Sequence, residues 1–421
     1  MSLFIKNIKK LVGVRREVPV SPLKGKEMES LPCLDNAWLL TEGDRIKDFG
    51  AMDNTAPETL ASLESAADEV IDAAGRMVFP SYCDSHTHLV YAGSREMEFM
   101  DKLRGLSYQE IARRGGGILN SVELLHNTSE DELLRQTLER AGEIISLGTG
   151  AVEIKSGYGL TVEDEIKMLR VARRVGEETP LKVSTTFLGA HAVPARYKGD
   201  RSGYVTEIVR DMIPAVAAEG LADYVDIFVE EGFFTVEDAC RIFEAAAGYG
   251  MRPKVHANQM SFSGGVQVGV RYGAASVDHL EFTGPEEFKA LQDSGTIATL
   301  LPGATFFLDM DYPNAKQMLE YDLPLAIASN YNPGSCPSGD MKFMMALAMI
   351  KMRLTPETVL NAATLNGAFA MDAGADYGSI TVGKKASFFI TKRIPSYEFI
   401  PYSFTSQLIG DVVLNGKIYR Q

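Results

Sequence analysis

Over the central part of this 421-residue chain, short β-rich runs alternate with amphipathic stretches, and few folds accept that pattern. The β-rich runs fall at 150–155, 182–188, 224–229, 252–256, 275–279, 296–301 and 325–328. Between them, 162–175, 204–219 and 236–248 space apolar residues three and four apart, as a helix with one buried face requires. Strands separated by helices pair in parallel, because the crossover helix carries the chain back to the starting end of the sheet. The number of repeats predicts a closed (β/α)8 barrel rather than an open sheet. No Gly-x-Gly-x-x-Gly follows a strand, so a dinucleotide-binding sheet lacks its phosphate loop. The methionine-rich stretch 341–352 reads as a core helix.

The two ends of the chain follow a different grammar. Residues 37–45, 380–390 and 412–417 are short strands joined by tight turns, and Asn415-Gly416 is a strong hairpin signal. Residues 1–80 and 374–421 are therefore expected to form one composite β-sandwich domain around a barrel of residues 81–373. Lys6, Lys9, Lys10, Arg15, Arg16, Lys24 and Lys26 face a single acid, Glu17, as in a transit peptide. Valines and Pro19 and Pro22 break any helix there, so the segment is expected to be β structure of the folded protein.

Charge and cysteine use narrow the partners. Lys and Arg number 42 against 56 Asp and Glu, a net charge of −14 that repels nucleic acid phosphates. No run of 18 apolar residues exists to span a membrane, so neither nucleic acid nor membrane is an expected partner. Cys33, Cys83, Cys240 and Cys336 are scattered and never form a Cys-x-x-Cys pair, which predicts a reducing cytoplasmic setting.

Five of the six histidines, His86, His88, His191, His256 and His279, sit at or just after the β-rich runs; His126 does not. Catalytic groups of a barrel gather at the C-terminal ends of its strands. In His86-Thr87-His88 the two imidazoles are two residues apart, so on a strand both point the same way and reach one ion. Neutral imidazole suits zinc or iron. Buried structural histidines are the plainer explanation for one such pair, but three further strand-end histidines favour a metal site.

These histidines lie in longer motifs: Asp84-Ser85-His86-Thr87-His88 with Arg95, Arg113-Arg114-Gly115-Gly116-Gly117-Ile118, and Lys155-Ser156-Gly157-Tyr158-Gly159. They continue with Gly189-Ala190-His191, His256-Ala257-Asn258-Gln259, Asp278-His279 and Asn332-Pro333-Gly334-Ser335. In order and spacing the chain resembles the imidazolonepropionase family of the amidohydrolase superfamily. The resemblance implies a metal-dependent TIM-like barrel in the cytoplasm, forming a homodimer. It implies hydrolysis of 4-imidazolone-5-propanoate to N-formimidoyl-L-glutamate in histidine degradation, with one divalent zinc or iron ion. The implied metal ligands are His86, His88, His256 and the residue at 330. Arg95 is implied to hold the propanoate, with Tyr158, His191, Gln259, Asn332, Gly334 and Ser335 as further substrate contacts. His279 is implied to steady the attacking water, so that His279, Gln259 and Asn330 form the catalytic set.

One position departs from the family pattern. Where Ala-Ser-Asp-x-Asn-Pro-Gly is expected, the chain reads Ala328-Ser329-Asn330-Tyr331-Asn332-Pro333-Gly334. An asparagine oxygen can coordinate a metal but has no useful basicity, so a loss of roughly 10²–10⁴-fold in rate is expected. A non-catalytic or crippled ligand-binding protein on the same scaffold is therefore one alternative, and a related deaminase is another. Arg95 as an ion pair with Glu96 or Glu98 is the bland reading of that residue. Lys155 invites a carbamylated, two-metal site, but no second ligand set accompanies it and a structural role is expected. Cys336 has no paired base and is not an expected nucleophile.

Overall fold

Leu3, Ile5, Ile8 and Leu11 of the first segment have no local partner, and their burial requires a sheet. A computed structural model describes residues 2–105 and 117–420, so Arg113-Arg114-Gly115-Gly116 lies outside the described residues. The N-terminal strands are β1 (Ser2–Val12), β2 (Cys33–Glu42), β3 (Arg45–Ala51), β4 (Glu69–Asp72) and β5 (Arg76–Pro80). The C-terminal ones are Phe388–Arg393, Ile409–Leu414 and Lys417–Tyr419. They make one eight-stranded sheet in which Phe389 of the C-terminal end pairs with Phe79 of β5. The two rings stack at 5.2 Å. The hairpin turn takes Asn415 and Gly416 into positive φ, 50° and 74°, as the dipeptide predicts. The basic N-terminal segment is β strand only to Val12; beyond it the chain is irregular until a short 3-10 turn at Gly25–Glu29.

The central strands are β6 (Tyr82–Thr87), β7 (Thr149–Lys155), β8 (Lys182–Ala190) and β9 (Tyr224–Val229). They continue with β10 (Arg252–Pro253), β11 (Val255–Ala257), β12 (Ser276–His279), β13 (Ile297–Leu300) and β14 (Leu325–Ile327). Every pairing is parallel, in the order β14-β13-β12-β11-β9-β8-β7-β6, with β10 beside β9. The run at 252–256 is split at Lys254, whose ammonium reaches the Glu153 carboxylate at 2.6 Å.

β6 and β14 share no ladder. The seam is closed by Asn330 N–H to the His86 carbonyl (2.9 Å) and His88 N–H to the Tyr331 carbonyl (3.0 Å). Below them the Asp84 carboxylate accepts from the Ser329 amide (2.9 Å) and hydroxyl (2.5 Å). Burial pushes the Asp84 carboxyl up to about 7 against those two bonds. The eight parallel strands thus make a nearly closed barrel of the TIM type, joined to a separate sheet from the chain ends.

The stretch 204–219 is not one regular helix. Pro214 has no N–H to give the carbonyl four residues back, and a π-turn at Ile208–Met212 separates Arg201–Glu207 from Ile213–Ala218. Val162–Glu178 and Val236–Ala247 are helices at the places their periodicity predicts, and the methionine-rich stretch is the helix Met341–Met352. Among the described residues no helix is long and apolar enough to cross a membrane.

Candidate functional site

The strand ends bring five histidines together. His86 and His88 lie at the end of β6, His191 follows β8, His256 is on β11 and His279 ends β12; all are buried. Ring centroids are 4.5 Å apart for His86 and His256, 5.1 Å for His88 and His191, and 5.3 Å for His256 and His279. The Nε2 atoms of His88 and His256 face each other at 3.4 Å. His126 is elsewhere, at a helix end, with Nδ1 2.7 Å from Asp164.

Four of these rings are held toward the uncharged form. Burial, then the Lys155 ammonium and the neighbouring imidazoles, pulls His86 well below the usual histidine range. Burial and His191 do the same to His88, and burial takes His191 itself down to about 3. For His256 burial also wins, against the opposing pull of Asp226. A neutral imidazole keeps a lone pair, and that is the form that binds a metal.

The donor set fits a metal ion. His86, His256 and His279 make one group, and His88, His191 and His256 another, with the donor atoms of each within 4.8 Å of one another. His86 Nδ1 is taken by Asp278 at 2.6 Å, which leaves its Nε2 buried with no hydrogen-bond partner among the described residues. Asn330 Oδ1 is left the same way, although its Nδ2 reaches Ser335 Oγ at 3.4 Å. A buried polar atom without a partner costs about 1–3 kcal/mol, and a cation that collects several of them relieves that cost.

Beneath the rings lies a buried ionic network that the sequence reading did not foresee. Lys155 Nζ contacts Glu153 (2.7 Å) and Asp226 (2.8 Å), and lies 3.7 Å from Asp278. Asp226 lies 2.9 Å from His256 Nδ1, so two of the five histidines have a carboxylate behind them that also faces Lys155. Burial alone would lower Lys155, but Asp226 and Glu153 overcome it and raise it. Both carboxylates thus engage Lys155, in keeping with the structural role expected of it.

Above the rings opens a cavity of about 400 Å³ that His88, His191, His256, His279 and Asn330 line, together with Arg95, Tyr158, Gln259, Asn332, Gly334 and Ser335. His86 sits below this lining. Arg95 pairs with Glu98 through Nε (2.9 Å) and Nη2 (2.6 Å), so the bland pairing exists and the same side chain still faces the cavity. Its free end is close to Gly334, where a Cβ would lie 2.0 Å from Nη1 and would push the guanidinium aside. Asn332 Oδ1 accepts from the Gly334 and Ser335 amides, both at 2.8 Å, and its Nδ2 donates to the Asn330 carbonyl at 2.7 Å. The Asn332 side chain therefore shapes its loop. Tyr158 stands on a turn whose Gly157, Gly159 and Leu160 amides all donate to Glu165. Gln259 precedes Met260, whose amide donates to Glu230 at 2.9 Å.

The other walls are apolar: Phe228, Phe233, Met260, Leu308 and Met310. Nothing in their local sequence marks them, since apolar residues at strand ends and in loops look like core. Cys336 is buried, and burial pushes its thiol up to about 12.

Comparison with known proteins identifies the family and the fold. The sequence pattern of the amidohydrolase family matches residues 77–418. The chain is 51% identical over 418 residues to a protein of Christiangramia forsetii named imidazolonepropionase, covering 99% of this chain and 100% of that one. It is 50% identical to a protein of that name from Flavobacterium johnsoniae over the same shares, and 38% identical to one from Alkaliphilus metalliredigens, covering 99% and 98%. In backbone it resembles the guanine deaminase of E. coli (TM-score 0.76, 11% identity, 100% and 99% covered). It also resembles an adenosine deaminase of Xanthomonas campestris with bound zinc (TM-score 0.68, 17% identity, 99% and 92% covered).

Proposed function

The chain belongs to the amidohydrolase family, within it to the imidazolonepropionases, and on that premise we propose how its residues divide the ring-opening hydrolysis of 4-imidazolone-5-propanoate. The observation that carries the reading is that buried imidazoles and the Arg95 guanidinium open on the same cavity. The ring-side work needs the first group and the propanoate needs the second.

Arg95 holds the propanoate through the nitrogen that Glu98 leaves free, with Ser335 and the Gly334 backbone beside it. Tyr158, His191 and Gln259 orient the imidazolone ring, and the apolar walls exclude bulk water from it. His86, His88, His256 and Asn330 Oδ1 would hold one divalent ion, zinc or iron, which when bound would polarise the amide carbonyl and make water acidic enough to attack. His279 steadies the attacking water. As the amide C–N bond breaks, the water oxygen stays on the carbonyl carbon and its proton passes to the departing ring nitrogen, giving N-formimidoyl-L-glutamate. We take the enzyme to work in the cytoplasm as a homodimer.

Turnover of freshly made imidazolonepropionate by metal-loaded protein, with the product identified by mass, tests the reading. Absence of turnover at full metal occupancy would favour the second one, a ligand-binding protein on a hydrolase scaffold, which Asn330 motivates. A nucleobase deaminase is disfavoured because its substrate has no carboxylate for Arg95.

Arg95→Ala is expected to weaken carboxylate-bearing imidazolone analogues by about 10- to 150-fold, since a charge-assisted hydrogen bond is worth about 1.5–3 kcal/mol. Neutral imidazoles should lose almost nothing. Isothermal titration with both ligand types checks this, and equal losses would assign Arg95 to holding Glu98 instead.

A further inference from the structure

His279 is bound up with an unusual piece of backbone. It and Leu280 both take left-handed conformations, φ 87° and 72°, at the end of β12. Two successive L-residues there are strained, and such strain persists only where the surroundings enforce it. Here Leu280 N–H is tied to the Ala257 carbonyl at 3.1 Å and Phe282 N–H to the Asn258 carbonyl at 2.8 Å. Asn258 Nδ2 returns a bond to the Phe282 carbonyl at 2.9 Å. The reversal brings the carboxylate of Glu281, two residues on, against the His279 ring. Glu281 Oε2 lies 3.8 Å from His279 Nδ1, with both side chains almost fully buried. Neither atom has a hydrogen-bond partner among the described residues. The other carboxylate oxygen is fixed by the Thr305 hydroxyl at 2.8 Å.

We infer that Glu281, anchored by Thr305, is a positioning residue that holds His279 with Nδ1–H toward the carboxylate and Nε2 free to accept from the attacking water. The inference rests on the hydrolase reading above and adds a residue to it. A gap of 3.8 Å is too long for a hydrogen bond, but bonds of this kind often tighten only around substrate. The neighbouring carboxylates are otherwise engaged: Asp278 serves His86 and Asp226 faces His256. Glu281 completes that pattern, one carboxylate behind each of three rings, which fixes tautomer and orientation.

Glu281→Gln should lower kcat by about 10- to 100-fold while KM and bound metal per chain stay within about twofold. Thr305→Val, which only loosens the anchor, should lower kcat by a smaller factor in the same pattern. The tautomer itself is read by nitrogen NMR of histidine-labelled, metal-loaded protein without substrate, with His279 identified by its loss in His279→Asn. The wild-type ring should be Nδ1-protonated, and Glu281→Gln should shift it toward Nε2 protonation. An Nε2-protonated ring in the wild type, or a kcat that falls only in step with metal lost, would overturn the inference. If the wild type turned nothing over, the hydrolase reading would fail, and the tautomer measurement would still decide the role of Glu281.

Discussion

Asn330→Asp should turn over imidazolonepropionate about 10²–10⁴ times faster than the chain as it stands. The position is built for a side chain that faces the reaction. Asn330 follows β14, has φ 56°, and is held by its own amide against the His86 carbonyl. Its Oδ1 is buried without a partner among the described residues. Aspartate has the same shape and replaces an amide of no basicity with a carboxylate that can take the proton from water. Three neutral imidazoles and an amide contribute no negative charge, so the carboxylate should also tighten metal binding. KM should change little, because Arg95, Tyr158 and Ser335 are untouched. Rate, KM and metal per chain measured on both forms decide it. Equal rates at equal occupancy would show that 330 is a ligand only, and that the proton leaves by another group.

Lys155→Met should cost about 3–5 kcal/mol of folding stability, the usual price of stranding buried charge. Methionine fills the space but leaves Glu153 and Asp226 with no ammonium between them, and Lys254 reaches only Glu153 (2.6 Å) and the Ser85 carbonyl (3.0 Å). Burial alone would raise Asp226, yet Lys155 and His256 keep it well below the usual carboxylate range. A lower denaturant midpoint with an unchanged slope is the expected result. A loss under about 1 kcal/mol would mean that the carboxylates take up protons in place of the lysine.

The barrel and its mouth were readable because both write themselves into local pattern. Parallel strands are continuous apolar runs, and His86-Thr87-His88 has a spacing that only an extended strand turns into a shared face. What could not be read is what joins distant positions. His86 meets Asp278 across 192 residues, and Lys254 meets Glu153 across 101. No spacing rule links such pairs, and Lys254 looked like an ordinary strand residue. Glu281 was missed because a strained reversal, not strand periodicity, turns it back to His279. The apolar walls, Phe228 and Met310 among them, were indistinguishable from core.

The seam between β6 and β14 sets when this protein acquires its chemistry. Asp84 and Ser329 are 245 residues apart, so the two sides of the mouth meet only after nearly the whole barrel has wound. Contacts of such long separation form late, since the closure entropy of the intervening chain must be met first. A nascent chain that has emerged only as far as β13 carries all five strand-end histidines and still has no working mouth. Competence therefore arrives with the last strand, in one step. Any ligand that touches both His86 and Asn330 spans that joint, and by binding only the closed form it works as the latch of the barrel.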